Sequence, residues 1–243
     1  MSKLLEVRVN KWVFPAFARV TRDGNPLHTD SRYAVGEGFK DTPAQGVFLQ
    51  AQFERALYLA DKRVATDYRF KFENPVYDGD NLSFELARKG EDTLDIDCFN
   101  QDRTRVGIVK AGFFPKGDLE TPTSDNVFSG NYDLDIERVN EFYDLIEQER
   151  EERVPLTLVS SLIPSALLDI SSRGGTIQGR YSSMTMNLFN NPRLGDFDVN
   201  IFTRTPRERG GLHIYPFRGD VHQNGRPIVS AGIMVFSPED LKL

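Results

Sequence analysis

The densest chemistry in the chain lies between Phe17 and Ala34, in the run FARVTRDGNPLHTDSRYA. Asp23 and His28 stand five residues apart there, with Asn25 and Pro26 between them. Proline stiffens the backbone and an Asn side chain can bond nearby backbone groups, so a turn of this composition can bring its two ends together. A carboxylate and an imidazole converging on one point can share a water molecule, one group taking a proton and the other giving one. Most Asp-Gly and Asn-Pro pairs serve only as turns or helix caps, and the run DGNPL alone would be read that way. The imidazole of His28 tips the reading toward acid–base chemistry.

The elements that must position this turn form a pattern written twice. Phe72-Glu73-Asn74-Pro75 followed by Asp78-Gly79-Asp80 has its echo 117 residues later in Phe189-Asn190-Asn191-Pro192 followed by Gly195-Asp196. Asn100-Gln101-Asp102 leading to Ala111-Gly112 and Pro115 is echoed, 120 residues after the Ala-Gly pair, by His222-Gln223-Asn224-Gly225 leading to Ala231-Gly232 and Pro238. Similar offsets in the same order predict a duplication. Each half reads as a buried helix followed by strands. The helices are expected at 43–61, with Pro43 in the first turn, and at 156–171, kinked at Pro164. Strands are expected at 67–74, 81–88, 93–99 and 105–114, and again at 180–190, 197–205, 211–221 and 227–236. Residues 116–135 read as a linker, and 136–152 as an amphipathic surface helix carrying Val139, Phe142, Tyr143 and Ile146. The predicted class is α+β, with antiparallel sheet wrapped around a helix in each of two packed units. The expected boundaries are 1–117, 118–153 for the linker and surface helix, and 154–243.

Composition narrows the function. The 243 residues carry 30 Lys and Arg against 36 Asp and Glu, a net charge of −6, which disfavours nucleic acid as a partner. Cys98 is the only cysteine, so an intramolecular disulfide and zinc sites built on paired cysteines are excluded, and a reducing compartment is expected. The first twelve residues are interrupted by charge, and no window approaches the ~20 apolar residues of a membrane span, so a cytoplasmic protein without membrane contact is expected.

The signature at 17–34 resembles that of the MaoC-like, (R)-specific enoyl-thioester hydratases and dehydratases. Their shared core is Asp-x-Asn-Pro-x-His followed by a small residue, matched here by Asp23, Asn25, Pro26, His28 and Ala34, with Phe17 and Thr21 upstream. The resemblance implies the hot-dog fold, here doubled. It implies Asp23 and His28 as the catalytic pair acting on water, Asn25 as the residue orienting the loop, and the Gly46 N–H as the donor that polarises the thioester carbonyl. It implies as partner an acyl thioester of coenzyme A or of an acyl-carrier protein; no cofactor is expected, and no metal, since His213 and His222 have no acidic or Cys neighbours at metal-ligand spacing. The second half lacks the signature and is expected to be catalytically silent, completing the sheet and shaping an acyl tunnel. Two positions depart from the family: Arg22 precedes Asp23 where Gly is usual, and Gln45 stands where His is common. A guanidinium beside Asp23 would favour its ionised form unless it turned away.

The same fold also supports thioesterases, and the departures at Arg22 and Gln45 also fit a binding module without turnover. A homodimer and a self-contained pseudo-dimer are both compatible with the duplication. His213 and His222 read as structural, Ser160, Ser161 and Ser165 lack a nucleophile elbow, and Gly36-Glu37-Gly38 lacks the third glycine of a dinucleotide fingerprint. Arg204, Arg207 and Arg209 could meet coenzyme A phosphates or an acidic carrier protein, and equally suit a solvated hairpin end.

Overall fold

In the computed structural model, which describes residues 2–115, 117–151, 153–172 and 180–237, the two halves join in one antiparallel sheet. Pro238, the closing mark of the repeat, lies outside the described residues. The first half contributes β1 (Ser2–Arg8), β2 (Asp67–Phe72), β3 (Asn81–Lys89), β4 (Thr93–Phe99) and β5 (Arg105–Gly112). The second contributes β6 (Asp125–Leu134), β7 (Arg180–Leu188), β8 (Gly195–Thr203), β10 (Leu212–Gln223) and β11 (Arg226–Ser237), with the short β9 (Arg207–Arg209) paired to β10. The order is β1-β3-β4-β5-β2-β7-β11-β10-β8-β6, the same sequence of roles read outward from the β2–β7 junction.

Two sets of helices fill the concave side. Helix α3 (Gly46–Ala60) buries residues around most of its circumference, including Phe48, Ala51, Phe53 and Leu57. Its counterpart is divided into α5 (Leu156–Ser160) and α6 (Leu162–Ser172). The break at Ser161 lies one turn before Pro164, whose ring and missing N–H disrupt the preceding turn, as the sequence predicted. Close approach of helix to sheet is permitted by a glycine on β10: a Cβ on Gly219 would meet Ile163 of α6 at 2.4 Å. Helices α1 (Val13–Thr21), α2 (Ser31–Gly36) and α4 (Ile136–Leu145) pack around this centre, with α1 against α4.

Three expectations are corrected. Helix α3 begins at Gly46 and not at Pro43, because the Ala44 N–H bonds to the Val76 carbonyl at 2.8 Å and keeps 43–45 extended. The stretch 116–135 is not all linker: 125–134 forms β6, which buries Phe128, Tyr132 and Leu134 while Asp and Asn between them face solvent. The surface helix is shorter than expected, with α4 ending at Leu145. The repeat is also offset by one residue from its sequence alignment at one point. Asn74 donates its side-chain amide to the Arg105 carbonyl and Asn190 donates to the Pro227 carbonyl, so Asn74 corresponds to Asn190 and not to Asn191.

The two units are tied by a carboxylate at a helix start. Glu54 of α3 accepts the N–H groups of Leu156 and Thr157 at 3.1 and 2.9 Å, and Gln50 donates to Ser160 Oγ at 2.7 Å. Free N–H groups and the helix dipole both favour an anion at that end. Glu54→Ala is expected to lower the urea unfolding free energy by about 1–3 kcal/mol, with Glu54→Gln, which keeps one acceptor, losing less.

Candidate active site

Helix α1 delivers the signature turn. It ends at Thr21, and Arg22 adopts a left-handed conformation (φ 55°) that reverses the chain. Asn25 then accepts the Leu27 N–H on Oδ1 at 3.0 Å and caps the single 3-10 turn Pro26–His28. This places Asp23 Oδ2 and His28 Nε2 3.8 Å apart, with the two side chains only 11% and 12% exposed. The separation exceeds a direct hydrogen bond and suits an atom shared between them. Asp23 and His28 therefore face each other, as the sequence spacing predicted.

The imidazole is fixed from behind. His28 Nδ1 lies 2.9 Å from the Pro43 carbonyl, which can only accept, so Nδ1 carries a proton and Nε2 is the ring atom turned toward Asp23. Burial raises the Asp23 carboxyl above its ordinary value of 3.8, opposed by the nearby His28 and by the Asn25 N–H at 3.3 Å. A carboxylate raised toward neutrality is a better proton acceptor than an exposed one.

The turn borders a cavity of about 410 Å³. Asn25 and His28 lie at its polar side; Phe39, Leu49, Phe72, Val76 and Phe236 give it apolar walls. Gly46 also lines it as the first residue of α3, and its N–H makes no hydrogen bond to a described residue. An unpaired N–H at the positive end of a buried helix is a donor available to a developing oxyanion. The structure thus brings Asn25, His28 and Gly46 to one cavity, with Asp23 behind His28 and not among the lining residues.

Residues 5–107 match a family described as MaoC like domain. The first unit of the chain is similar to that family. The solved structures it resembles include a MaoC domain dehydratase from Chloroflexus aurantiacus, with 10% identity, TM-score 0.74 and coverage of 98% of this chain and 94% of that one. A Mycobacterium tuberculosis protein described as having a double hotdog fold matches at 10% identity, TM-score 0.72 and coverage of 96% and 93%. An acyl-ACP thioesterase from Bacteroides thetaiotaomicron matches at 12% identity, TM-score 0.50 and coverage of 87% and 94%. No curated protein matches the sequence. The chain has the double hot-dog fold, each unit being sheet wrapped on a central helix.

Both departures of this segment from the pattern it resembles are explained by geometry. The left-handed backbone at position 22 favours Gly, and Arg22 occupies it with its guanidinium 5.5 Å from the centre of the Tyr132 ring on β6. It is turned toward the second unit, and the Asp23 carboxyl answers to burial, His28 and Asn25. Gln45 is fully buried and donates its side-chain amide to the Phe14 carbonyl at 2.9 Å, which fixes the entry of α3 against α1.

Several positioning groups carry no signal in the sequence. The carbonyl of Pro43 is one, since every residue has a carbonyl. Ser165 of α6 donates to the Thr21 carbonyl at 2.9 Å, and Arg138 of α4 donates to the Val20 carbonyl, so the second unit caps the end of α1 just before Asp23. Burial, with Arg22 nearby, lowers the Arg138 guanidinium to about 10. Ser160, Ser161 and Ser165 are all buried and hydrogen-bonded to backbone carbonyls. His213 lies in β10 near Tyr215, and His222 stands at the far end of the same strand. Arg204 donates to Thr123 Oγ1 at 3.0 Å, while Arg207 and Arg209 lie exposed on β9. No helix among the described residues is long and apolar enough to cross a membrane.

The buried carboxyl sets a sign for stability. A folded-state value above 3.8 means the folded protein holds this proton more tightly than the unfolded chain, so Asp23 costs stability as pH rises through that window and the cost persists at neutral pH. Asp23→Asn is expected to melt higher than the wild type at pH 7, with the gain shrinking toward pH 3.8 in a thermal series run at stepped pH.

Proposed function

We propose that the protein adds water reversibly to a 2-enoyl thioester to give the (R)-3-hydroxyacyl thioester, or removes it, with the acyl group carried on coenzyme A or an acyl-carrier protein. The observation that supports this most directly is the opposed pair, Asp23 Oδ2 and His28 Nε2, 3.8 Å apart beside an apolar cavity. Water held between the two acts as the nucleophile. Its oxygen bonds the β-carbon, its proton passes to the pair, and the electrons of the double bond move toward the carbonyl oxygen. The Gly46 N–H stabilises the charge that collects there, aided by the dipole of α3. The pair returns a proton to the α-carbon, and dehydration runs the same steps backward. The site serves both directions and the equilibrium sets the net one.

The apolar walls suit an acyl chain, and Phe236 brings the second unit into contact with it. We assign chemistry to the first unit alone, because the second has no Asp-x-Asn-Pro-x-His. A thioesterase reading is favoured by the likeness to the Bacteroides acyl-ACP thioesterase, and a binding-only reading would leave both substrates unchanged. Crotonyl-CoA and a 3-hydroxyacyl carrier thioester separate all three by mass spectrometry with a free-thiol assay. Gain or loss of water with no thiol release is expected; thiol release or inert substrates would overturn the lyase reading. Asp23→Asn and His28→Ala should each reduce kcat/KM by 100-fold or more, on the order of a lost acid–base group, while circular dichroism stays unchanged. The acid limb of the wild-type rate profile should lie above pH 3.8, because the carboxyl must be ionised to accept the proton and burial raises it.

A further inference from the structure

The second unit has its own cavity where the first has the candidate site, and its chemistry is different. In the first unit the segment after β2, including Asn74 and Pro75, and the lead-in to α3, including Pro43, line the smaller cavity. In the second the segment after β7, including Asn190 and Pro192, and the lead-in to α5, at Arg153, line a cavity of about 790 Å³. Asn74 and Asn190 anchor the two segments through the same hydrogen bond, which fixes the correspondence.

Three guanidinium groups line this second cavity: Arg153, Arg193 and Arg226. No carboxylate is among its lining residues. In the first unit Arg105, at the start of β5, is neutralised by Glu73 and lies near Asp97. Backbone pairing of Glu73 to Val106 and of Phe189 to Ile228 puts a phenylalanine where that carboxylate stands. Arg193 and Arg226 make no ion pair with a described residue, while Arg153 is held by Glu151 at 2.6 Å and lies 5.1 Å from the Tyr58 ring centre.

The frame around them is rigid. The Gln223 side chain accepts the Arg193 N–H at 3.0 Å and donates to the Arg193 carbonyl at 2.8 Å, pinning the loop that carries this arginine. Arg226 follows a tight turn at Asn224 and Gly225, both with positive φ, and pairs with Gln223 across it. Guanidinium groups carried on a pinned backbone around a concave site, two of them without an ion-pair partner among the described residues, match the planar, bidentate acceptors of a phosphate, and in a chain of net charge −6 such a concentration stands apart.

We propose that this cavity binds a phosphate-bearing small molecule, with the guanidinium groups of Arg153, Arg193 and Arg226 as its anion partners. The site is separate from Asp23 and His28 and stands whether or not the acid–base reading holds. The probes are inorganic pyrophosphate and ADP, titrated calorimetrically into the full chain at low salt, with sulfate at matched ionic strength as the control. Pyrophosphate or ADP should bind the wild type at least 10-fold more tightly than sulfate. The double variant Arg193→Gln with Arg226→Gln, both at exposed positions, should lose at least 10-fold in that affinity while its circular dichroism is unchanged. Absence of binding up to several millimolar, sulfate binding as tightly as either probe, or equal affinity in the variant would each overturn the proposal. ADP binding more tightly than pyrophosphate identifies a nucleotide as the ligand class; equal affinities identify the phosphate groups alone.

Discussion

The pairing of β2 with β7 is the constraint on which the rest of the structure depends. It runs antiparallel from Asp67 opposite Asn187 to Lys71 opposite Ser183, and it turns two five-stranded sheets into one. Without it each half would present a row of unsatisfied backbone groups at its inner edge. It also lets α3 and α5 share an interior, where Glu54 and Gln50 of α3 bond to α5. The cavity beside His28 depends on the same junction, since one wall is Phe72 at the end of β2 and another is Phe236 on β11, the strand next to β7.

Within that frame, the cost of burying Asp23 shapes the site. Desolvation penalises its charged form, and among the described residues the compensations are one backbone N–H and a neighbouring imidazole at 3.8 Å. The surroundings hold this arrangement by capping the end of α1 from the second unit, through Ser165 and Arg138, and by anchoring the imidazole on the Pro43 carbonyl. A group that costs stability where it stands is what an acid–base role requires.

The two units keep one backbone plan and differ in what they place at its corresponding points. The start of α3 offers an N–H at Gly46 that no described residue accepts, whereas the start of α5 is occupied by the Glu54 carboxylate from the first unit. The Glu73 carboxylate of the first unit is replaced in the second by Phe189, and Arg193 and Arg226 at the second cavity make no ion pair with a described residue. Divergence therefore acted on side chains at fixed positions, and the hydrogen bonds from Asn74 and Asn190 survived it.

The sequence by itself determined the architecture. Eight strands lie within a few residues of where alternation and turn residues placed them, because period-two patterning and glycine-marked turns are local properties. The meeting of Asp23 and His28 was also legible, since both sit in one short turn whose geometry Asn25 and Pro26 fix locally. The edge strands β1 and β6 were missed: β6 lies in a stretch rich in Gly, Asp and Asn, and its strand state comes from pairing with β8. Likewise the start of α3 was misplaced because the Ala44–Val76 bond, which delays it, joins residues 32 apart. What only the tertiary structure decided is where side chains from distant segments converge: Arg22 turned to Tyr132, Phe236 at the cavity, three arginines around another. Such meetings depend on long-range packing, to which spacing along a single chain is blind.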